Sequence, residues 1–305
     1  KVEKLYIVEE LDPVIEEQVK SWGIKATGKE IFTVQGEYSA NMLREAILGE
    51  ELKLDAPAAA PGRPPILCPG CPHRSVYYVL NKLKMHAAGD IGCYTLGNAM
   101  PLDMVDTCLC MGAGLNIAQG VEKVEPDTTC FAFVGDSTFF ASAITGVVNA
   151  VYNQANMVLV VLDNSTTAMT GHQPHPGTGR TVMGEIVQKI NTEQVLRGIG
   201  VTEIETINPL ELEASVSCVK RMAEKSGVRA IIFKAPCIAV TKPKAPLHVD
   251  QDSCIGCKKC IRDLGCPAIV MNDGKICIDA SMCTGCHLCS QVCPVCAIAG
   301  GDDHE

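Results

Sequence analysis

The 305-residue sequence contains no apolar run that approaches the roughly 18–20 residues needed to cross a bilayer. It also has no basic-then-apolar N-terminal segment of the kind that directs secretion. We therefore expect a cytoplasmic protein with no membrane partner. The chain begins with Lys1 rather than methionine, which leads us to expect a processed or truncated N-terminus that ends a domain begun elsewhere.

The sequence also lacks an excess of basic residues, since 26 Lys and Arg stand against 35 Asp and Glu and the formal net charge is −9. Non-specific binding of nucleic acid depends on a Lys- and Arg-rich surface that neutralises phosphates. The charge therefore argues against a nucleic-acid partner, and an acidic solvated surface is enough to explain it.

Cysteine, in contrast, is abundant, with 18 residues in a chain that has no export signal. Thiols stay reduced in the cytosol and thiolates bind metal, so we expect metal ligation rather than disulfides. Ten of the cysteines lie between residues 254 and 296. This density predicts a small domain in which metal clusters substitute for a core.

The length predicts two or three domains. Residues 54–65 are rich in Ala and Pro, which suits an extended linker, and residues 242–246 form a second proline-bearing link. We predict the end of a preceding α/β domain at 1–53, a linker at 54–67, an α/β domain at 68–243 and a metal-binding domain at 244–305.

Short β-rich runs alternate with amphipathic stretches from residue 68 to about 240. Residues 130–134 and 157–162 are continuous apolar runs typical of buried parallel strands, and residues 138–152 between them have helical spacing. The pattern predicts an α/β fold with a doubly wound, mainly parallel sheet. Further strands are predicted at 4–9, 201–207 and 230–233, and further helices at 13–20, 39–48 and 208–225.

The C-terminal cysteines form an internal repeat, in which each half has the pattern Cys-x₂-Cys-x₂-Cys and a later Cys-Pro pair. Bacterial ferredoxins have this spacing, and the cysteine of their Cys-Pro pair ligates the other cluster. We therefore predict a small α+β, bacterial-type two-cluster ferredoxin domain. One [4Fe–4S] cluster is assigned to Cys254, Cys257, Cys260 and Cys293, and the other to Cys283, Cys286, Cys289 and Cys266.

The first half of the repeat departs from the bacterial pattern, because five residues, 261–265, precede Cys266 where three are usual. A pair of structural zinc sites is the alternative, although eight cysteines with no paired histidines fit zinc poorly. Cys277 and Cys296 are left over, and we expect them to be packing residues.

Polar residues directly follow the two buried runs: Gly135, Asp136 and Ser137 after the first, and Asn164 just after the second. Neighbouring parallel strands end at one edge of the sheet, where a carboxylate and an amide oxygen suit Mg²⁺ and a diphosphate. Asp136 taken alone would be interpreted as a helix N-cap, but its pairing with Asn164 favours the metal site. Gly112, before a predicted helix, either offers its N–H to the diphosphate or is a close-packed helix start.

This arrangement resembles the diphosphate-binding motif of thiamine diphosphate enzymes, which implies that Asp136, Asn164 and the backbone carbonyl of Thr166 ligate Mg²⁺. Ser137 replaces the more common glycine. Together with the ferredoxin cysteines, the motif is similar to the 2-oxoacid:ferredoxin oxidoreductases. Three local sequences look like the indolepyruvate type of that family: CPGCPHR at 68–74, DIGC at 90–93 and DNSTTAMTGHQPHP at 163–176.

The resemblance implies a third [4Fe–4S] cluster near the thiamine ring, held by Cys68, Cys71, Cys93 and Cys237. Alternatively, Cys93 and Cys237 are buried thiols and the other two are an idle pair. The remaining cysteines lie in apolar surroundings, so we expect them in the core: Cys108, Cys110, Cys130 and Cys218.

The resemblance also implies the reaction. Thiamine diphosphate adds to the 2-oxo carbon of an arylpyruvate such as indolepyruvate, CO₂ leaves, coenzyme A takes the acyl group, and single electrons pass to an external ferredoxin. His73, His172 and His175 either transfer protons near the reacting carbon or are loop residues that hold backbone. Arg74 either pairs with an anionic substrate group or lies on the surface.

The resemblance also implies a glutamate that activates the aminopyrimidine of thiamine and comes from a second, pyrimidine-binding domain. The residues before 68 are too few to form that domain. We expect the chain alone to be inactive, and the rest of the subunit and a second, beta subunit to complete the site. Two alternatives remain: a polyferredoxin electron carrier without thiamine, and an oxidoreductase of pyruvate or branched-chain 2-oxo acids. Lys258, Lys259 and Arg262 either dock an acidic ferredoxin or are solvated surface.

Overall fold

The structure is a computed structural model that describes residues 2–50, 62 and 64–300. Contacts divide the chain into two compact units, Lys1–Arg63 and Pro64–Glu305. Most of the predicted linker, residues 54–61 and 63, lies outside the described residues. No helix in the described part of the chain is long and apolar enough to span a bilayer.

The first unit contains two helices close to their predicted positions, α1 at Val14–Ser21 and α2 at Ala40–Leu48. Helix α2 begins where the Ser39 side chain accepts a backbone N–H at 3.2 Å. It ends at Gly49, whose φ of 69° is the left-handed conformation that glycine adopts without steric cost.

A five-stranded sheet with the order β1-β2-β3-β5-β4 forms the centre of the second unit, and all of its pairings are parallel. The two apolar runs predicted as buried strands are β2 and β3, which are buried except for one intermediate residue at the end of β3. The strands are β1 His86–Ala88, β2 Cys130–Gly135, β3 Met157–Asp163, β4 Glu203–Ile207 and β5 Val228–Lys234.

Helices cover both faces of this sheet, because alternate side chains of each buried strand point to opposite faces. Phe131 and Phe133 pack with α3 and α8, whereas Ala132 and Val134 pack with α4, α6 and α7. The predicted doubly wound parallel sheet is confirmed. The helices are α3 His73–Leu83, α4 Ala113–Val124, α5 Asp136–Thr138, α6 Ile144–Tyr152, α7 Thr192–Ile199 and α8 Leu212–Glu224. A π-helical segment, Phe139–Ala143, joins α5 to α6, and 3₁₀ segments span Cys93–Asn98 and Ile238–Val240.

Two predicted elements differ from the structure. The strand predicted at 4–9 is wrong, because Tyr6 forms only an isolated bridge and a strand needs a neighbour along its length. The helix predicted at 208–225 begins later, at Leu212, because the Asn208 side chain accepts the Leu210 N–H at 3.1 Å and closes a turn first.

The Cys-rich end of the second unit has an α+β arrangement built from two similar halves. Its outer strands β6 and β9 form one antiparallel pair, and β7 and β8 form another. Each half thus runs strand, cysteine loop, short helix, strand. The elements are β6 Leu247–Val249, α9 Lys259–Arg262, β7 Ile269–Asn272, β8 Lys275–Ile278, α10 Leu288–Val292 and β9 Ile298–Gly300.

The burial of β3 leads to a stability prediction. Leu159, at the centre of β3, is fully buried, whereas Val148 on α6 is 49% exposed. We expect Leu159→Ala to lower the free energy of unfolding by about 2–5 kcal/mol through lost transfer energy and a residual cavity. Val148→Ala should change it by less than about 0.5 kcal/mol. Equal urea midpoints for the two variants would contradict this placement of β3.

Candidate active site

Asp136 and Asn164 lie at the carboxyl ends of the neighbouring strands β2 and β3. The register pairs Gly135 with Leu162, so both polar residues emerge at one edge of the sheet. Their side chains are buried, with 4% and 6% of the residue surface exposed, and both line one cavity of about 100 Å³. Thr166 lines the same cavity. The three residues predicted to ligate Mg²⁺ are therefore brought together, and Gly135 and Ser137 also line this cavity.

Backbone N–H groups orient the Asp136 carboxylate. The N–H of Ser137 donates to Oδ1 at 2.8 Å and that of Ser165 to Oδ2 at 2.7 Å. The Asn164 side-chain oxygen accepts the Thr166 N–H at 3.3 Å. Because each of these oxygens has a further lone pair, the carboxylate and the amide can still bind a hard cation such as Mg²⁺.

The turn at Gly112 is held by a buried aspartate. The Gly112 N–H donates to Asp90 Oδ1 at 2.6 Å, and the next N–H, of Ala113, donates to the Cys110 carbonyl at 3.0 Å. Gly112 has a φ of 87°, and a Cβ there would lie 2.5 Å from Ser142 Oγ. Glycine is thus required for the close approach, while its N–H is already bonded within the chain, which does not support a role towards a diphosphate.

His73 is a neutral histidine in the cavity wall. Only 4% of its surface is exposed, and burial lowers its pKa to about 4. Its Nε2 lies 3.3 Å from the side-chain nitrogen of Asn164, and its ring meets the Tyr94 ring edge-on. A neutral imidazole at this place can accept or donate a proton.

His175 faces Asp136 from outside the cavity. Its Nδ1 accepts the Gly177 N–H at 3.2 Å, so the neutral ring carries its proton on Nε2. That nitrogen lies 3.1 Å from Asp136 Oδ2, without the alignment of a hydrogen bond. His172 is exposed and is absent from the cavity wall. Of the three predicted histidines, the structure brings two to the site.

The lowered pKa of His73 predicts a pH dependence of stability. An unfolded histidine has a pKa near 6.5, so below that pH the unfolded chain binds a proton that the folded chain accepts only near pH 4. The free energy of unfolding therefore falls as the pH drops through this window, by on the order of 3 kcal/mol in total.

His73→Gln should reduce this loss, whereas His172→Gln, at an exposed position, should not. Urea titrations of the two variants and the unchanged protein, near neutral pH and near pH 5, measure the difference. The same pH slope in all three proteins would contradict a buried, neutral His73.

Four predicted cysteine ligands gather beside the cavity, and we call them the Cys68 set: Cys68, Cys71, Cys93 and Cys237. Burial raises the pKa of the Cys71 thiol to about 12, and the neighbouring Cys68 and Cys237 add to the rise. Burial also raises the pKa of Cys93, again with contributions from Cys237 and Cys68. Cys93 lines the cavity itself, and the Cys237 N–H donates to the Asn164 carbonyl at 2.9 Å.

The C-terminal cysteines line two further cavities. Each cavity is lined by three cysteines from one half of the repeat and one cysteine from the other half. Cys266 lines the second cavity despite its longer spacing, and Cys277 and Cys296 line neither. The Cys254 set is Cys254, Cys257, Cys260 and Cys293, and the Cys266 set is Cys266, Cys283, Cys286 and Cys289.

Backbone N–H groups point at sulfur in both sets: Leu247 N–H donates to Cys283 Sγ at 3.5 Å and Ala297 N–H to Cys293 Sγ at 3.3 Å. Burial raises the pKa of Cys289 to about 12, with added repulsion from neighbouring cysteines. When such thiols bind a metal centre as thiolates, they release their protons to solvent, so metal binding is coupled to proton release.

The donor sets fit a multi-atom cluster better than single zinc ions. Within residues 2–50, 62 and 64–300, no three His, Cys, Asp or Glu side chains converge on the position of one metal ion. Zinc needs its four ligands within roughly 2.0–2.3 Å of one point. Cysteines arranged around a cavity, with N–H groups donating to sulfur, have the character of iron–sulfur cluster ligands.

Some residues lie elsewhere than the sequence led us to expect. Cys130 and Cys218 are buried as predicted, but Cys108 and Cys110 are exposed, because they belong to an irregular segment outside the sheet and helices. Arg74 is not a surface residue, since only 3% of it is exposed. Sequence reasoning also missed two buried residues of the DIGCY segment, Asp90 and Tyr94, whose side chains hydrogen-bond to each other at 2.9 Å.

The sequence is similar to a family of thiamine enzymes and to several curated proteins. Residues 90–233 match the thiamine pyrophosphate enzyme family, C-terminal TPP-binding domain. The chain is 39% identical over 324 positions to the indolepyruvate oxidoreductase subunit IorA of Methanothermobacter thermautotrophicus, and 37% identical over 326 positions to that of Archaeoglobus fulgidus. Each match covers 97% of this chain and 52% of the relative, so the chain spans about half the length of the curated relatives it matches.

A solved structure shares the fold. The 2-oxoglutarate:ferredoxin oxidoreductase of Magnetococcus marinus, with 2-oxoglutarate, coenzyme A and succinyl-CoA bound, aligns with a TM-score of 0.50 at 20% identity. The alignment covers 59% of this chain and 67% of that one. At this level of identity the likeness concerns the fold alone.

Proposed function

The chain belongs to the family of indolepyruvate oxidoreductase IorA subunits, and on that premise we propose that it carries the thiamine diphosphate and iron–sulfur sites of an enzyme that oxidatively decarboxylates arylpyruvates to arylacetyl-CoA. The main support for this proposal is one hydrogen bond: the N–H of Cys237, which belongs to the Cys68 set, donates to the Asn164 carbonyl at 2.9 Å. A cluster site thus adjoins a magnesium–diphosphate site within one chain.

In this proposal Asp136, the Asn164 side chain and the Thr166 carbonyl hold Mg²⁺, and the magnesium holds the diphosphate. Thiamine diphosphate supplies an electron sink for the pair released when CO₂ leaves a 2-oxo acid. Coenzyme A, bound in the related Magnetococcus structure, is the proposed acyl acceptor. The buried position of the ligands limits the access of water.

The chain's own side chains prepare this site. His73 stays neutral through burial and keeps a proton acceptor at the cavity wall. His175 places its Nε2 3.1 Å from Asp136 Oδ2, so its ring packs against the carboxylate that is proposed as a magnesium ligand. Asp90 receives the Gly112 N–H and the Tyr94 hydroxyl and thereby shapes the cavity rim.

The three cysteine sets are proposed to hold three [4Fe–4S] clusters that accept single electrons and pass them to an external ferredoxin. Lys258 and Lys259 line the cavity of the Cys254 set, and Arg262 donates to the Cys257 carbonyl at 3.0 Å. These cations make the Cys254 set the proposed docking point for an acidic ferredoxin.

The proposed enzyme needs more than this chain. Because the chain spans about half of its relatives, which are named as subunits, we propose that the rest of the subunit and a beta subunit complete the site. They supply the glutamate that activates the aminopyrimidine. The chain alone is accordingly expected to bind thiamine diphosphate weakly and to turn over no substrate.

Two measurements on the complete enzyme test the proposal. Calorimetry with thiamine diphosphate and Mg²⁺ is expected to show binding, and ferredoxin reduction is expected to be faster with indolepyruvate than with pyruvate when coenzyme A is present. Iron without thiamine binding would instead identify an electron carrier. Faster turnover of pyruvate or a branched-chain 2-oxo acid would refute the aryl preference and keep the reaction class.

A further inference from the structure

Arg74 is a buried cation without an anionic partner among the described residues. Only 3% of its surface is exposed, and none of the salt bridges of the described chain involves it. It also lies in the first turn of α3, where the helix dipole disfavours positive charge. A buried charge in such a place is costly unless something negative lies nearby.

The contacts of Arg74 join two cysteine sets. One guanidinium nitrogen donates to the carbonyls of Leu67 at 2.6 Å and Cys68 at 3.3 Å, at the start of the Cys68 set. The other donates to the carbonyls of Leu264 at 2.6 Å and Gly265 at 2.8 Å, directly before Cys266. Its Nε is buried with no partner in the described chain.

The same two sets touch at a second place. Pro69 and Gly70, the residues between Cys68 and Cys71, also line the cavity of the Cys266 set. A Cβ on Gly70 would lie 1.9 Å from Thr284 Oγ1, so the two cysteine loops approach as closely as a glycine permits. The Cys254 set has neither contact, since its cavity lining includes no residue before 249.

A second buried arginine, Arg229, serves as a comparison, and it too keeps one buried side-chain nitrogen, Nη2, without a partner in the described chain. Arg229 is also fully buried and donates to the Met222 carbonyl at 3.0 Å and to the side chain of Asn156. Met222 lies in the last turn of α8, whose C-terminal dipole is negative and offsets the charge. Arg74 lies instead at the N-terminal end of its helix, where the dipole adds to the cost of its charge.

We propose that Arg74 is the shared counter-ion of the Cys68 and Cys266 sets and a positioning residue for electron transfer between them. This inference rests on the proposed function. A [4Fe–4S] core held by four thiolates is net negative, so one guanidinium between two such sites offsets both charges. An electron that passes from the cluster of one set to that of the other therefore stays near the same cation. The Cys254 set does not share this cation and is the site from which electrons leave the chain in this proposal.

The test compares four variants of the anaerobic full protein, one of which serves only to assign the clusters. The readouts are iron and sulfide content and potentiometric titration followed by electron paramagnetic resonance. Arg74→Met removes a positive charge and is therefore expected to lower the midpoint potentials of two clusters. The potential of the third cluster should not change. This third cluster is identified as the one that is missing from Cys254→Ala. Arg74→Lys keeps the charge and should retain most of both potentials. Arg229→Met, the matched buried control, should shift none.

Iron lost from the Cys68 and Cys266 sets in Arg74→Met but retained in Arg74→Lys, which keeps the charge, also supports the proposal. Potentials that stay unchanged in Arg74→Met, that move equally in all three clusters, or that move as much in Arg229→Met would overturn it. A protein that carries no iron before any substitution would contradict the proposed function instead, so the two failures are distinguishable.

Discussion

Replacing Cys254 and Cys293 together by alanine is expected to remove no more iron than replacing either one alone. The two cysteines come from different halves of the repeat, yet they line one cavity. If they ligate the same [4Fe–4S] cluster, each substitution removes that cluster, and the second has nothing left to remove. Each single variant and the double variant should therefore lose about four of about twelve iron atoms per chain.

The matched double variant pairs Cys283→Ala with Cys293→Ala. Both residues lie in the second half of the repeat but line different cavities, so this pair should lose two clusters. Cys296→Ala, three residues beyond Cys293, should lose none, because Cys296 is exposed and lines neither cavity. Iron analysis decides between the patterns: if Cys254 with Cys293 cost two clusters and Cys283 with Cys293 only one, ligation would follow the halves and the crossed assignment would be wrong.

Asp136→Asn is expected to weaken the Mg²⁺-dependent binding of thiamine diphosphate in the complete enzyme by about 100-fold or more. The substitution removes the only carboxylate of the proposed magnesium site, and outer-sphere changes alone typically cost 10–100-fold in metal affinity. The buried surroundings of Asp136 strengthen the electrostatic contribution of its charge. Calorimetry with and without Mg²⁺ measures the change.

Asp163→Asn is the matched control. Asp163 lies at the end of the same sheet and accepts the same Ser165 N–H as Asp136, at 3.1 Å, but its other oxygen faces Lys234 at 3.3 Å. Asp163→Asn should leave the affinity within a few-fold of the original. A comparable loss in both variants would indicate that Asp136 acts by holding the Ser165 loop and not as a metal ligand.

The sequence predicted those features whose cause is local. Residues 130–134 and 157–162 become β2 and β3, because short uninterrupted apolar runs are typical of strands that are buried on both faces of a parallel sheet. Asp136 and Asn164 meet because the ends of adjacent parallel strands must share an edge. The C-terminal cysteines group as their spacing predicts, even with the longer loop before Cys266.

What the sequence could not predict depends on distant chain segments. Arg74 is buried because residues 264 and 265, far along the chain, supply carbonyl acceptors for it. Residues 4–9 have strand composition but only one bridging partner. A hydrophobicity pattern also could not predict that Cys108 and Cys110 are exposed. Leu109 between them is apolar and is nevertheless 73% exposed. Each outcome is decided by tertiary packing rather than by composition.

Counting iron and acid-labile sulfide in anaerobically prepared protein tests the central claim most directly. Three cysteine sets that each hold a [4Fe–4S] cluster predict about twelve of each per chain. About eight would mean that one of the three sets holds no cluster. Zinc in the preparation with no sulfide at all would contradict the account.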